Sequence, residues 1–178
     1  MSYQVIEKQV IYTGKKMRLE IHRLEDEEGR KAQAEVCIHP GAVVVLPFLD
    51  EQRIVLIRNR RYAISGILLE LPAGTLDRGE DPMNAAGREL LEETGLLAQR
   101  MKPLVNFYPS PGLLSEKMYA FAAYDLQKGH TALEPGEEIE PLVVSFDQAI
   151  NMIKTGEIQD GKTITTLLYF KQFCISQK

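Results

Sequence analysis

The chain has 178 residues, a formal net charge of −4, 44% hydrophobic and 26% charged residues, which suits one globular domain with a small extension and a real core. The acidic balance argues against a nucleic-acid backbone as the main partner, and no apolar run approaches the ~18 residues of a membrane span. Two widely separated cysteines, Cys37 and Cys174, and an N-terminus, MSYQVIEKQV, without a secretion-signal layout fit a protein of the reducing cytoplasm.

In chain order, Tyr3–Tyr12 is rich in Val, Ile and Gln and reads as a strand. Met17, Leu19 and Ile21 alternate with Arg18, Glu20 and His22, the period of a half-buried strand. Asp26–Arg30 is a turn, and Ala32–Ile38 alternates again. Residues 1–38 are thus expected to form a small antiparallel sheet, too small to stand alone, ahead of a main domain at residues 39–178. His39-Pro40-Gly41 punctuates the chain. Ala42–Phe48 reads as a buried strand, Asp50-Glu51 as a turn and Arg53–Arg58 as a returning strand, together a hairpin. His39, like His22 and His130, is a lone histidine and is expected to make structural hydrogen bonds. Asn59-Arg60-Arg61-Tyr62 ends the second strand. Arg61 has two readings: a solvated surface charge, or a planar fork for phosphate oxygens.

The most informative stretch is Leu71–Leu96. Gly74 is followed by five free positions and Glu80; after seven more free positions come Arg88-Glu89, then Leu90, Glu92-Glu93, Gly95 and Leu96. Asp81-Pro82 supplies an N-cap and a first helical residue, and Gly95 suits the left-handed position that closes a helix. Glu89, Glu92 and Glu93 then share one helical face. Isolated charge runs are usually solvated faces. Here no Lys lies between Gly74 and Leu96 to neutralise the acids, and a divalent cation such as Mg²⁺ or Mn²⁺ would relieve their repulsion.

Beyond the helix, Met101–Tyr108 and Lys117–Tyr124 are strand candidates on either side of the rigid loop Tyr108-Pro109-Ser110-Pro111-Gly112. Gln127–Glu140 reads as a long polar loop carrying Glu134, Glu137, Glu138 and Glu140, and long loops beside rigid scaffolds also carry catalysis. Leu142–Phe146 is a short strand. A helix follows, from Phe146-Asp147 to about Gly156. Lys162–Phe173 is a C-terminal amphipathic helix with Ile164, Leu167, Leu168 and Phe170 as its expected buried set.

With every fixed position filled, the Gly74–Leu96 pattern closely resembles the box of Nudix hydrolases. His39-Pro40-Gly41-Ala42-Val43, Arg61-Tyr62, Leu68–Gly74 and Pro111, sixteen residues beyond Gly95, resemble the ADP-ribose pyrophosphatase branch. The resemblance covers roughly residues 5–172. It implies an α+β fold, an α/β/α sandwich with a mixed sheet, preceded by a small N-terminal antiparallel β-sheet that exchanges between subunits of a homodimer. It also implies Mg²⁺ (or Mn²⁺), two or three ions, held by Glu89, Glu93, Glu92 and the Ala73 carbonyl, with Glu80 outside the ligand set and Arg88 holding the carboxylates. Arg61 would contact a diphosphate, Glu70 and Pro111 would belong to the substrate site, and Glu116 would hold the distal sugar or a water on a metal. The general base would be a loop glutamate, Glu137 first and Glu138 second. The implied reaction is hydrolysis of a nucleoside diphosphate sugar, ADP-ribose to AMP and ribose phosphate. GDP-mannose or another nucleotide sugar is the alternative. A nucleoside triphosphatase and a non-catalytic ADP-ribose sensor fit less well.

Overall fold

The computed structural model describes residues 2–175, which fall into two compact units. The first holds the chain up to Gly41 together with Tyr108–Lys117. In it, β1 (Gln4–Thr13), β2 (Arg18–Glu25) and β3 (Lys31–Ile38) form an antiparallel sheet in the order β1-β2-β3. The register of β2 with β3 is continuous, with Leu24 opposite Ala32 and Leu19 opposite Cys37. The polar set of the β2 alternation is not the solvated one, because Glu20 is buried, accepts from Arg18 and pairs with His22. At the β2–β3 turn the Asp26 carboxylate accepts from the Glu28 and Arg30 amides at 3.0 and 2.9 Å. Residues 108–117 are stitched to the end of β3, since Cys37 N donates to Leu113 O (2.8 Å) and Ser115 N to Cys37 O (3.0 Å). His39 is structural, as expected: its Nδ1 accepts from Gly41 N.

The second unit comprises Ala42–Phe107 and the chain from Met118 onward. Its centre is β4 (Ala42–Pro47), buried at every position. Ala42, Val44 and Leu46 pack into one apolar cluster, Val43 and Val45 into another, so the strand is covered on both faces and reads as a continuous apolar run. It pairs parallel with β9 (Met118–Lys128) and antiparallel with β7 (Ala73–Thr75); β8 (Leu96–Phe107) completes a mixed sheet in the order β7-β4-β9-β8. Helix α1 (Pro82–Thr94) packs Ala85, Ala86 and Leu90 on one face. Helices α2 (Phe146–Thr155) and α3 (Gly161–Phe173) cover the other, with a second sheet made of β10 (Ile139–Ser145), β5 (Arg53–Arg61) and β6 (Gly66–Glu70). The expected α+β architecture, a mixed sheet between helices with a small antiparallel sheet before it, is what the chain adopts.

Four local expectations change. The hairpin of Ala42–Phe48 with Arg53–Arg58 does not form: β4 and β5 belong to different sheets, joined only by a bridge between Phe48 and Ile54 among the described residues. Two short strands, β6 and β7, occupy the approach to the box. The polar loop is shorter than expected, because β9 runs to Lys128 and β10 begins at Ile139. On α3, Leu168 is exposed, while Thr163 and Thr166 are buried beside Leu167. Both threonines satisfy their hydroxyls internally, Thr163 on Asp160 and Thr166 on the Lys162 carbonyl, which removes the cost of burying them.

Candidate active site

The site is built where α1 lies on β7. The helix starts because Asp81 accepts from the Met83 and Asn84 amides (3.0 and 3.2 Å) and Pro82 needs no partner for its missing N–H. It stops at Gly95, at φ +68°, whose N–H bonds Leu91 O. Between these caps, the helix lays three side chains along three successive residues of β7. Glu93 accepts from the Ala73 amide at 2.8 Å. The Glu89 carboxylate rests on Gly74, so close that a Cβ there would stand 1.9 Å from its Cδ. Arg88 Nη2 reaches the Thr75 carbonyl at 3.4 Å.

Arg88 ties the cluster together. Its Nε and Nη2 grip Glu80 at 3.0 and 2.9 Å, while Nη1 donates to Glu89 at 2.7 Å and Glu92 at 3.1 Å. The Glu80 bonds, first, and those to Glu89 hold the guanidinium's pKa above its usual range, and Arg88 pulls the Glu80 carboxyl below its own. Glu80 also accepts from Asp77 N, bracing the turn before the helix.

One guanidinium cannot balance this many acids. Burial, with Glu89 and Glu137 nearby, pushes Glu93 up to about 8 despite the Ala73 amide and the approach of Arg61. Burial also raises Glu89, against Arg88 and with Glu92 and Glu137 adding to the rise. A buried and a half-buried carboxyl that resist ionisation in a shared space lack positive charge. Among the described residues no three His, Cys, Asp or Glu side chains stand ready-made in ligating geometry, and Arg88 bonds one oxygen each of Glu89 and Glu92. The donor set itself, all carboxylate oxygen and short of cation, fits a hard divalent ion.

The remaining acids are sorted by pairing. Glu138 takes Arg60 Nε (2.8 Å) and the Tyr62 hydroxyl (3.3 Å), and Glu140 takes Arg58 (3.3 Å). Glu137 accepts from Glu134 N at 2.8 Å, and its charge is felt by both Glu89 and Glu93. So the structure gathers Ala73, Arg88, Glu89, Glu92, Glu93 and Glu137, while Glu138 is engaged elsewhere. Glu70, expected at the substrate, is instead fully buried, its oxygens taken by Arg61 (2.7 and 2.5 Å) and Lys162 (2.6 Å). Any influence it has on a ligand passes through those cations. Pro111 and Glu116 lie in the first unit, where Glu116 faces His39 Nδ1 at 3.5 Å. The sequence reading singled out neither Lys162 nor its partner Asp160; 92 positions separate Lys162 from Glu70, and no local pattern announces the contact. A cavity of about 910 Å³, lined by Phe48, Arg100, Tyr124 and Phe146 among others, contains none of the box side chains. Charge and pairing, rather than concavity, mark the site.

An acidic helix face gripped by one arginine, over a strand that opens on an alanine and a glycine, defines a protein class that sequence comparison identifies directly. Residues 38–167 match the NUDIX domain, and the chain belongs to that family. It is similar to the ADP-ribose pyrophosphatase of Bacillus subtilis (strain 168), with 33% identity over 170 residues, 94% of this chain and 92% of that protein. It is 39% identical over 141 residues to the GDP-mannose pyrophosphatase of Enterobacter sp. (strain 638), 74% of this chain and 73% of that protein. A crystal structure of an ADP compounds hydrolase has the same fold, with a TM-score of 0.85, 21% identity and coverage of 97% of this chain and 94% of that one.

Proposed function

We propose that the protein is a divalent-cation-dependent pyrophosphohydrolase that splits a nucleoside diphosphate sugar, with ADP-ribose as the leading substrate and AMP and ribose 5-phosphate as products. The observation that carries this reading is the under-neutralised cluster of Glu89, Glu92, Glu93 and Glu137 beside Arg61. Family membership and the near full-length likeness to a protein named for ADP-ribose support it. GDP-mannose is the second substrate candidate, supported by the relatives named for it.

Glu89, Glu93 and Glu92, with the Ala73 carbonyl, would hold Mg²⁺ or Mn²⁺, two or three ions. When bound, such ions neutralise a diphosphate and make water more acidic. Arg88 keeps Glu89 and Glu92 from swinging into solvent. Glu137 accepts the proton of the attacking water as general base; Glu138, paired with Arg60, is the weaker candidate. The water oxygen bonds to phosphorus as the bridging oxygen leaves in line, so positioning and charge stabilisation supply much of the rate. Arg61 holds the diphosphate; Pro111 and Glu116 are substrate-site candidates on the family resemblance alone, Glu116 for the distal sugar or a water on a metal.

Residues 1–38 serve as a dimerisation extension to the hydrolase domain at 39–178, and the working form is a homodimer. In support, β1 is exposed at all ten positions, Val5, Ile6, Val10, Ile11 and Tyr12 among them, an edge that invites pairing. Two free cysteines suit the cytoplasm, and no described helix is long and apolar enough to cross a membrane. The acidic balance argues against a nucleic-acid backbone as the main partner. The test is incubation with ADP-ribose, GDP-mannose, diadenosine polyphosphates and nucleoside triphosphates, each with Mg²⁺ or Mn²⁺. Release of AMP and ribose 5-phosphate from ADP-ribose is expected. Tight binding without cleavage would make the protein a sensor, and failure to cut any of them would end the hydrolase reading.

A further inference from the structure

Resting on the pyrophosphohydrolase reading, we infer that Glu70 is a positioning residue: it locks one edge of the Arg61 guanidinium so that the other edge is presented to the diphosphate, and Lys162 keeps the buried carboxylate in place. Glu70 has a fully buried side chain, where an ionised carboxylate needs partners for both oxygens. Arg61 supplies Nε to Oε1 at 2.7 Å and Nη2 to Oε2 at 2.5 Å, and Lys162 adds Nζ to Oε2 at 2.6 Å.

The consequence follows from the shape of arginine. Its five N–H donors lie in one plane. The bonds to Glu70 use the Nε–Nη2 side. One hydrogen each of Nη1 and Nη2 remains on the end-on edge, a fork that matches two oxygens of one phosphate. The Arg61 side chain is 42% exposed while its Nε–Nη2 side faces the buried Glu70, and its charge is felt at Glu93. A free arginine would lose rotamer freedom on gripping a ligand; one already clamped loses much less.

The clamp is itself anchored. Lys162 Nζ also donates to Asp160 Oδ1 (2.9 Å), and Asp160 Oδ2 caps α3 through Thr163 N (3.0 Å) and Thr163 Oγ1 (2.6 Å). Thr163 Oγ1 in turn accepts from Leu71 N at 2.8 Å. Glu70 and Leu71, just before the box, are thereby pinned to the start of α3.

The test is a double-mutant cycle of Glu70→Gln and Arg61→Lys with ADP-ribose and Mg²⁺, reading KM and kcat separately beside thermal melting. Glu70→Gln keeps the shape but sets an amide N–H against a cation. Each single change should lower kcat/KM by about 10- to 100-fold, mostly through KM. The double variant should fall within about 3-fold of Arg61→Lys alone, because Glu70 has nothing left to position. Wild type that cleaves but gives an additive cycle, or a loss confined to kcat with a lowered melting temperature, overturns the positioning role and leaves the hydrolase reading standing. Wild type that neither binds nor cleaves overturns both. If Glu70→Gln does not fold, NMR of the wild type decides. The Arg61 Nε–H signal should exchange slowly with solvent, and the other guanidinium signals should shift when inorganic pyrophosphate is added with Mg²⁺. Fast exchange, or no shift, overturns the inference.

Discussion

Gly74→Ala is the smallest change that should disable this protein. The added Cβ would lie 1.9 Å from Glu89 Cδ and 2.0 and 2.2 Å from its two oxygens. Ordinary contact begins at 3.4 Å, so the carboxylate must retreat by about 1.5 Å, since overlap of that depth is far up the repulsive wall. Gly74 has no positive φ, and Ala adopts extended backbone freely. What yields is the end of a flexible side chain, so the fold should survive with stability changed by about 1 kcal/mol or less. Activity should not survive, because misplacing a catalytic group by ~1 Å costs on the order of 10²-fold. The assay is AMP release from ADP-ribose over a Mg²⁺ titration, with a thermal melt on the same sample. Expected are a native melt, kcat down by at least ~10²-fold and a higher Mg²⁺ requirement. A well-folded Gly74→Ala protein turning over at the wild-type rate would refute the contact as a functional one.

Glu93→Gln should remove nearly all turnover with the fold intact; near-normal rates with Mg²⁺ would displace it from the site. Glu93 also sets a pH dependence. Its folded pKa, about 8, exceeds the ordinary 4.5, so the metal-free folded state binds the extra proton between those values. Stability should then fall as pH rises through that window, by on the order of a few kcal/mol, and level off above it. Glu89, also raised, adds in the same direction. Urea denaturation in chelator from about pH 5 to 9 should show a shallower slope for Glu93→Gln than for wild type, and equal slopes would count against the burial argument. Added Mg²⁺ should lift the alkaline end most, because the ion replaces the proton. Glu137→Gln should lower kcat by ~10²-fold or more while Mg²⁺ binding persists, and Glu138→Gln should change it by less than ~3-fold; the reverse pattern would move the base by one residue.

Much of the fold was legible where local chemistry and packing agree. Asp81, Pro82 and Gly95 bound α1 by capping alone, and the alternation of Met17–His22 locates β2, though Glu20 rather than Met17 is its buried side chain. The failed hairpin shows the limit. A run such as Val43–Leu46, apolar on both faces, declares burial but not its partner, and the partners proved to be β9 and β7 rather than β5, its neighbour in sequence. The buried face of α3 was misjudged for a related reason. Hydrophobicity points to Leu168, yet Thr163 and Thr166 go inside because hydrogen bonds satisfy them. Glu70 went the same way, a charged residue that no pattern of polarity would place in an interior.

The loop acids are the most instructive case, because the choice between Glu137 and Glu138 rests on register. β10 pairs with β5 so that Glu140 faces Arg58 and Ile139 faces Asn59. Side chains alternate along a strand, which puts Glu138 and Glu140 on the side of Arg60 and Arg58, and the ion pairs at 2.8 and 3.3 Å follow. Glu137 lies before the strand, in the turn where it accepts from Glu134 N, and its charge goes to Glu89 and Glu93. The matched spacing of Arg58-x-Arg60 and Glu138-x-Glu140 was visible in the chain as a two-residue period in both signs of charge. Read as a ladder of cross-strand pairs, it would have pointed to Glu138 and Glu140 as the partners of Arg60 and Arg58 before any coordinates. Glu138 and Glu140 are thereby committed to cross-strand partners, which leaves Glu137 as the loop acid whose charge reaches Glu89 and Glu93.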